Sequence, residues 1–222
     1  MRSRLFSCIA LAAQLMRSFI QIMYGAWKIF GIPGPYVSIF GGARFAETDP
    51  YAHKAHDLAR MLVLADISVL TGGGPGIMEA ANCGAMNQQV KAKSIGIGIN
   101  GLDQKPNQCM SIYFEMDYFF ARKWLLMQYS SAIVIFPGGF GTLDEMSEVI
   151  TLVQTKRIPG IPIVLIGKEY WHPFMRWIKT EVLKHGAVNE QDIALFTITD
   201  DLEEALCLVR NTCATDTRHT KK

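Results

Sequence analysis

The chain lacks an excess of either charge: 22 Lys and Arg against 20 Asp and Glu leave a formal +2 across 222 residues. Without a strongly basic footprint, generalised nucleic-acid binding is disfavoured, and no nucleic acid is expected as a partner. Charge is scarce overall, at 19% of residues against 50% hydrophobic, which excludes a disordered chain and supplies ample material for a core. Cysteine is sparse and unpatterned. Cys8, Cys83, Cys109, Cys207 and Cys213 are odd in number, contain no CxxC pair and have no His at zinc-ligand spacing, so reduced thiols and a cytoplasmic location are expected. His53 and His56 lie three apart without a third ligand, His172 and His185 are isolated, and neither a metal nor a cofactor is expected. No run reaches the ~20 uninterrupted apolar residues of a membrane span, so a bilayer is not an expected partner. The sequence has no internal repeat and no long linker. At ~150 residues per domain its length fits one domain with extensions.

What is present begins with an N-terminal segment, residues 1–34. Arg2 and Arg4 precede an apolar run over 5–13, which is how a secretory signal begins. The apolar positions continue through Leu15, Met16, Phe19, Ile20 and Met23, with Gln14, Arg17, Ser18 and Gln21 interspersed at helical spacing, and this predicts an amphipathic helix. Its apolar stripe needs a cover, from the domain or from a second copy. A breaker cluster, Gly31 to Pro35, ends the segment.

From residue 35 to 211 short apolar runs alternate with longer helical ones. The runs at 37–40, 67–70, 95–99, 132–136, 161–166 and, more weakly, 195–198 are mostly Val- and Ile-rich and bounded by Gly or Pro, as strands buried on both faces of a parallel sheet read. Helices are expected at 51–64, 76–88, 117–130, 142–155, 171–185 and 201–211. Six strands interleaved with helices predict an α/β fold, a doubly wound, mostly parallel Rossmann-like sheet with its ligand beyond the carboxyl ends of the strands. Residues 212–222 read as a disordered polar tail.

Two glycine-rich turns sit where a strand hands over to a helix. The first, Thr71-Gly72-Gly73-Gly74-Pro75-Gly76-Ile77-Met78, lacks both the Gly-Lys-Ser/Thr of a P-loop and the last Gly of a dinucleotide fingerprint. Four glycines in five positions exceed what a tight turn needs, and backbone N–H groups beside a helix N-terminus make an anion cradle. The second turn, Pro137-Gly138-Gly139-Phe140-Gly141-Thr142-Leu143-Asp144-Glu145, carries a competing structural reading, because Thr142 and Glu145 fit a capping box. Three glycines ahead of that cap leave the turn open to a ligand with Glu145 at its rim. Asp144 and Glu145 are about 100° apart around a helix, so one of them at most faces it, while Glu148 shares the Glu145 face. A third element, Phe119-Phe120-Ala121-Arg122-Lys123, sets two cations among aromatics, as a solvated helix face or as an anion contact.

With these residues in view the chain resembles the LONELY GUY (LOG) family, whose members were often labelled possible lysine decarboxylases. The signature PGGxGTxxE is met in full from Pro137 to Glu145, in order with GGGxGxM at Gly72 to Met78, Arg122-Lys123, and Glu148-Val149-Ile150-Thr151. The resemblance spans roughly residues 35–198 and looks closest to the longer, bacterial-type branch. It implies hydrolysis of the N-glycosidic bond of a nucleoside 5′-monophosphate, AMP or an N6-prenylated AMP, to free base and ribose 5-phosphate. Arg122 and Glu145 fall in the catalytic places. Lys123, Gly139, Phe140, Gly141, Thr142, Leu143, Asp144 and Thr151 fall in nucleotide-contacting ones, with Gly42, Gly72, Gly73, Gly74, Gly76 and Gly138 expected beside them. It also implies a homodimer or higher homo-oligomer. Two departures stand out: Gly42 replaces the Ser of the branch's FGSAR strand end, and Phe119-Phe120-Ala121-Arg122-Lys123 replaces the plant-type MHxRK. No lysine has the setting of a pyridoxal phosphate Schiff base. Alternatives that keep the fold are a nucleotide sensor without turnover, or a hydrolase or transferase for a different nucleotide.

Overall fold

The computed structural model describes residues 2–86, 89–102 and 104–215. The Val- and Ile-rich runs form parallel strands because continuous apolar sequence can be buried on both faces only when helices cover both. They are β1 Tyr36–Phe40, β2 Ser68–Thr71, β3 Ser94–Ile99, β4 Ile112–Met116, β5 Ala132–Ile135, β6 Ile163–Ile166 and β7 Phe196–Thr199. All pair in parallel in one sheet of order β4-β3-β2-β1-β5-β6-β7. The order reverses direction at β1 and β5, which places a crevice beyond their carboxyl ends.

Helices α1 Arg2–Phe30, α4 Phe119–Gln128, α5 Phe140–Gln154 and α6 Lys168–Trp177 pack on one face of the sheet. Helices α2 Pro50–Leu64, α3 Ile77–Ala85 and α8 Leu202–Thr215 cover the other, and a short α7 spans Glu190–Ile193. Successive strand residues feed opposite cores. Phe40 joins Ile29, Leu125 and Val149 on the first face, whereas Val37 and Ile39 join Leu58, Ile77 and Val209 on the second.

Four expectations need correction. The sheet has seven strands, not six: β4 escapes the apolar-run criterion because it is an edge strand with Ile112 and Tyr113 half-buried and Glu115 exposed. Residues 212–215, expected in a disordered polar tail, belong to α8, which runs through Thr215, and residues 216–222 lie outside the described ones. A π-helical turn, Ile178–Leu183, follows α6 where one uninterrupted helix was expected. Finally, Cys83 on α3 and Cys109 are joined in a disulfide. The loop between β3 and β4 folds back over α3 and brings them together, so the cysteines no longer speak for a reducing compartment. Cys8 and Cys207 remain thiols.

Candidate active site at the β1–β5 crevice

A cleft of about 680 Å³ opens at the switch point. Its floor is the loop after β1, Gly41 to Phe45, and the first turns of α5; α4 supplies Phe119, Arg122 and Lys123, and Met78, Leu102 and Gln104 close the far side. The loops are knitted by backbone bonds. The Gly42 N–H donates to the Pro137 carbonyl at 2.9 Å, and the Ile77 N–H donates to the Gly42 carbonyl at 3.1 Å. A β-carbon on Gly42 would lie 2.6 Å from the Phe45 ring and 3.2 Å from Gly138 Cα. The missing Ser of the strand end is therefore matched by a loop packed too tightly for any side chain unless Phe45 moves.

The capping-box expectation fails. Helix α5 begins at Phe140 with Gly139 as its N-cap and no side-chain cap, so Thr142 sits inside the first turn and Glu145 beyond it. Thr142 is buried with its hydroxyl against Gly138. The Leu143 N–H donates to the Gly139 carbonyl at 3.0 Å, and the N–H groups of Phe140, Gly141 and Thr142 ahead of it have no helical acceptor. No atom lies within 4 Å of where a β-carbon on Gly139 or Gly141 would sit. This helix end is open to an anion, and the dipole favours one there.

Glu145 is half-buried in the cleft wall, and desolvation pushes its pKa up to about 7; the Arg122 guanidinium holds it down, and Asp144 adds to the rise. Arg122 is 8% exposed and donates from Nε to the Ile97 carbonyl at 2.9 Å. Burial pulls its pKa down, and the Glu145 charge opposes that shift. Among the described residues the two make no direct ion pair, so each keeps hydrogen-bonding capacity for a third party. Lys123 is committed elsewhere: its Nζ lies 3.0 Å from Asp144 Oδ2 and 2.6 Å from Glu148 Oε2. Burial works against its charge, the bonds to Glu148 and Asp144 outweigh that, and the pKa rises. Asp144 lines the cleft beside Glu145 but is mostly exposed and turned to Lys123.

The remaining expected residues lie elsewhere. Gly72, Gly73, Gly74 and Gly76 do not line the cleft; the first three are buried, and the Gly73 N–H donates to Thr71 Oγ1 at 2.9 Å. Their glycines answer to crowding and backbone geometry. A β-carbon on Gly72 would meet Arg122 Nη2 at 1.8 Å, and Gly73 and Gly76 have φ of 71° and 70°. Gly138 sits behind the cleft wall, and Thr151 bonds the Ser147 carbonyl on its own helix at 2.8 Å. Sequence reasoning missed Asn82 and Asn107, which brace the first turn. Thr71 Oγ1 donates to Asn82 Oδ1, and Asn107 Nδ2 reaches the Gly74 carbonyl at 3.0 Å. Neither stands in a motif that marks it.

An α/β protein with a charged cleft at its topological switch point is thus defined by geometry alone. Comparison narrows it: residues 78–209 match the family model described as possible lysine decarboxylase, and the chain belongs to that family, the LONELY GUY (LOG) family. It is 31% identical over 158 residues, 68% of this chain and 76% of the relative, to the probable cytokinin riboside 5′-monophosphate phosphoribohydrolase LOG6 of Arabidopsis thaliana. A bacterial relative, the cytokinin riboside 5′-monophosphate phosphoribohydrolase of Rhodococcoides fascians, is 22% identical over 79% of this chain and 89% of its own. Among solved structures, the molybdenum cofactor carrier protein of Chlamydomonas reinhardtii shares the fold at TM-score 0.58 and 21% identity, covering 81% of this chain and 98% of that one.

Proposed function

We propose that the protein hydrolyses the N-glycosidic bond of nucleoside 5′-monophosphates, AMP or an N6-modified AMP, to free base and ribose 5-phosphate. The observation that carries this reading is Glu145, a carboxyl group titrating near 7 in a cleft that also offers an uncapped helix N-terminus. Cleavage passes through an oxocarbenium-like sugar, which calls for negative charge at the ribose and a fixed anchor for the phosphate. The first turn of α5 anchors the phosphate, and the Glu145 carboxylate faces the sugar. It takes a proton from the attacking water and passes it to the departing base, a double duty suited to a group with pKa near the working pH. Arg122 holds the Glu145 charge in place. The base lies toward the exposed rings of Phe119 and Phe140, the latter 91% exposed.

A decarboxylase reading finds no support in the cleft. Lys123 is the one lysine among its described lining residues, and two carboxylates keep it cationic rather than nucleophilic.

Incubation with AMP, GMP, CMP, UMP and isopentenyl-AMP, followed by chromatography for free base, tests the proposal. Release from a 5′-monophosphate is expected; release from none of them overturns it. Adenosine is expected to turn over far more slowly than AMP, because it offers nothing to the α5 N-terminus, and equal turnover would remove the phosphate anchor. Since the carboxylate form is the working one, kcat falls as pH drops through about 7, and a kcat flat from pH 5 to 8 would take the role from Glu145.

A further inference from the structure

Three backbone carbonyls lead into α5, and whether the helix start attracts or repels an anion depends on where they point. The Pro137 carbonyl accepts from the Gly42 N–H at 2.9 Å, and the Gly139 carbonyl accepts from the Leu143 N–H at 3.0 Å. Both are held by backbone groups, which any residue except proline would supply. The middle one is different. Its partner is a side chain from outside the cleft: Tyr170 Oη donates to the Gly138 carbonyl at 2.6 Å.

This carbonyl is also the one with most freedom to turn. The peptide between Gly138 and Gly139 swings about ψ of Gly138 and φ of Gly139, and glycine leaves both torsions soft. No atom lies within 4 Å of where a β-carbon on Gly139 would sit, so the space beside that residue is open. In a planar trans peptide the carbonyl and the following N–H point in opposite directions. With the Gly138 oxygen directed at Tyr170, the Gly139 N–H is turned the other way, toward the side on which Gly139 lines the cleft, and it has no acceptor among the described residues. It stands ahead of the N–H groups of Phe140, Gly141 and Thr142 as a fourth donor to an anion. Reversed, the same peptide would set the negative end of a carbonyl dipole there.

The position of Tyr170 in the fold suits it to hold this orientation. It is the third residue of α6, whose start is tied to the strand ends: the Gly167 N–H donates to the Thr199 carbonyl at 3.1 Å, and the buried Trp171 donates from Nε1 to the Ile166 carbonyl at 3.1 Å. The Tyr170 ring stands edge-on to the Trp171 ring with centroids 4.9 Å apart. A rigid element therefore presents the hydroxyl. Tyr170 itself is 41% exposed, so core packing does not account for a tyrosine there.

We infer that Tyr170 is a positioning residue for anion binding, its hydroxyl locking the Gly138–Gly139 peptide with the N–H toward the cleft and so setting the affinity for the substrate phosphate. The inference rests on the phosphate anchor proposed above and not on the reaction.

Tyr170→Phe removes the hydroxyl and keeps the ring. Calorimetric titration with ribose 5-phosphate should show an affinity about fivefold weaker than that of the wild type, the loss of one ordinary hydrogen bond, with thermal melting unchanged. In AMP turnover KM should rise by the same factor while kcat and its pH profile hold, since the anchor grips substrate and transition state alike. A defect spread through the fold would lower Tm or kcat instead. Equal affinity of variant and wild type for ribose 5-phosphate overturns the inference, as does a drop in kcat at unchanged KM. Absence of ribose 5-phosphate binding by the wild type overturns it together with the phosphate anchor. Release of base from none of the monophosphates, with the fivefold difference intact, supports the role of Tyr170 and removes the reaction alone.

Discussion

Glu145→Gln is expected to lower AMP turnover by on the order of 100-fold or more, equivalent to about 3 kcal/mol in the barrier. Gln keeps the shape of the side chain and removes both its charge and its ability to carry a proton, so the loss measures the two roles of Glu145 together. Asp144→Asn should cost little in comparison, because Asp144 is mostly exposed and already paired with Lys123. If Glu145→Gln hydrolyses AMP normally, the working carboxylate lies elsewhere, with Glu148 next in line.

The same substitution should make the protein more stable, and the sign follows from linkage. The folded pKa of Glu145, about 7, lies above its ordinary 4.5, so ionising it in the folded protein costs stability. That cost is absent below about pH 4.5, grows between 4.5 and 7, and is fully present above 7. Glu145→Gln removes it, for a gain of roughly 1–3 kcal/mol at pH 8. Thermal melts should show the variant's Tm advantage at pH 8 and not at pH 4.5. A capping role would give the opposite: no gain at any pH. Slower chemistry with higher stability is the signature of a group held in a costly state for function.

The two glycine turns show how far sequence carries such a site. At Gly138 to Glu145 the motif marked a loop and helix that line the cleft, with Glu145 among the lining residues, but a Thr-x-x-Glu spacing does not locate the helix start. The N-cap falls at Gly139, three residues before Thr142, and that shift separates a capping Glu from a free one. At Gly72 to Gly76 the glycine count was read as ligand space, whereas the space belongs to neighbours: Arg122 at Gly72, the Tyr113 ring at Gly73 and the Gly42 carbonyl at Gly76. Composition reports that room is needed and not what fills it. The Cys83–Cys109 pair was invisible for a related reason: 26 residues apart and outside any motif, the two meet only because the sheet order sends the loop before β4 back over α3.

Gly72→Ala is expected to damage catalysis about as much as Arg122→Ala, although Gly72 does not line the cleft. The added methyl would stand 1.8 Å from Arg122 Nη2 and 2.8 Å from Met78 Sδ, so the guanidinium must swing away and surrender its place beside Glu145. Arg122 is held by one bond from Nε to the Ile97 carbonyl and by the walls around it, and its neighbour Lys123 is tied to Asp144 and Glu148. Both variants should lose on the order of 100-fold in kcat. Glu145 should also titrate higher in each, shifting the acid limb of the pH profile upward, which a merely structural defect would not do. Gly139→Ala provides the contrast. Its β-carbon meets nothing within 4 Å, so the protein itself accommodates it, but the methyl intrudes where the phosphate approaches the α5 N-terminus. Its loss should appear in KM, with kcat and the pH profile little changed. Normal kcat in Gly72→Ala, with the variant folded, would mean that Arg122 does not act through Glu145.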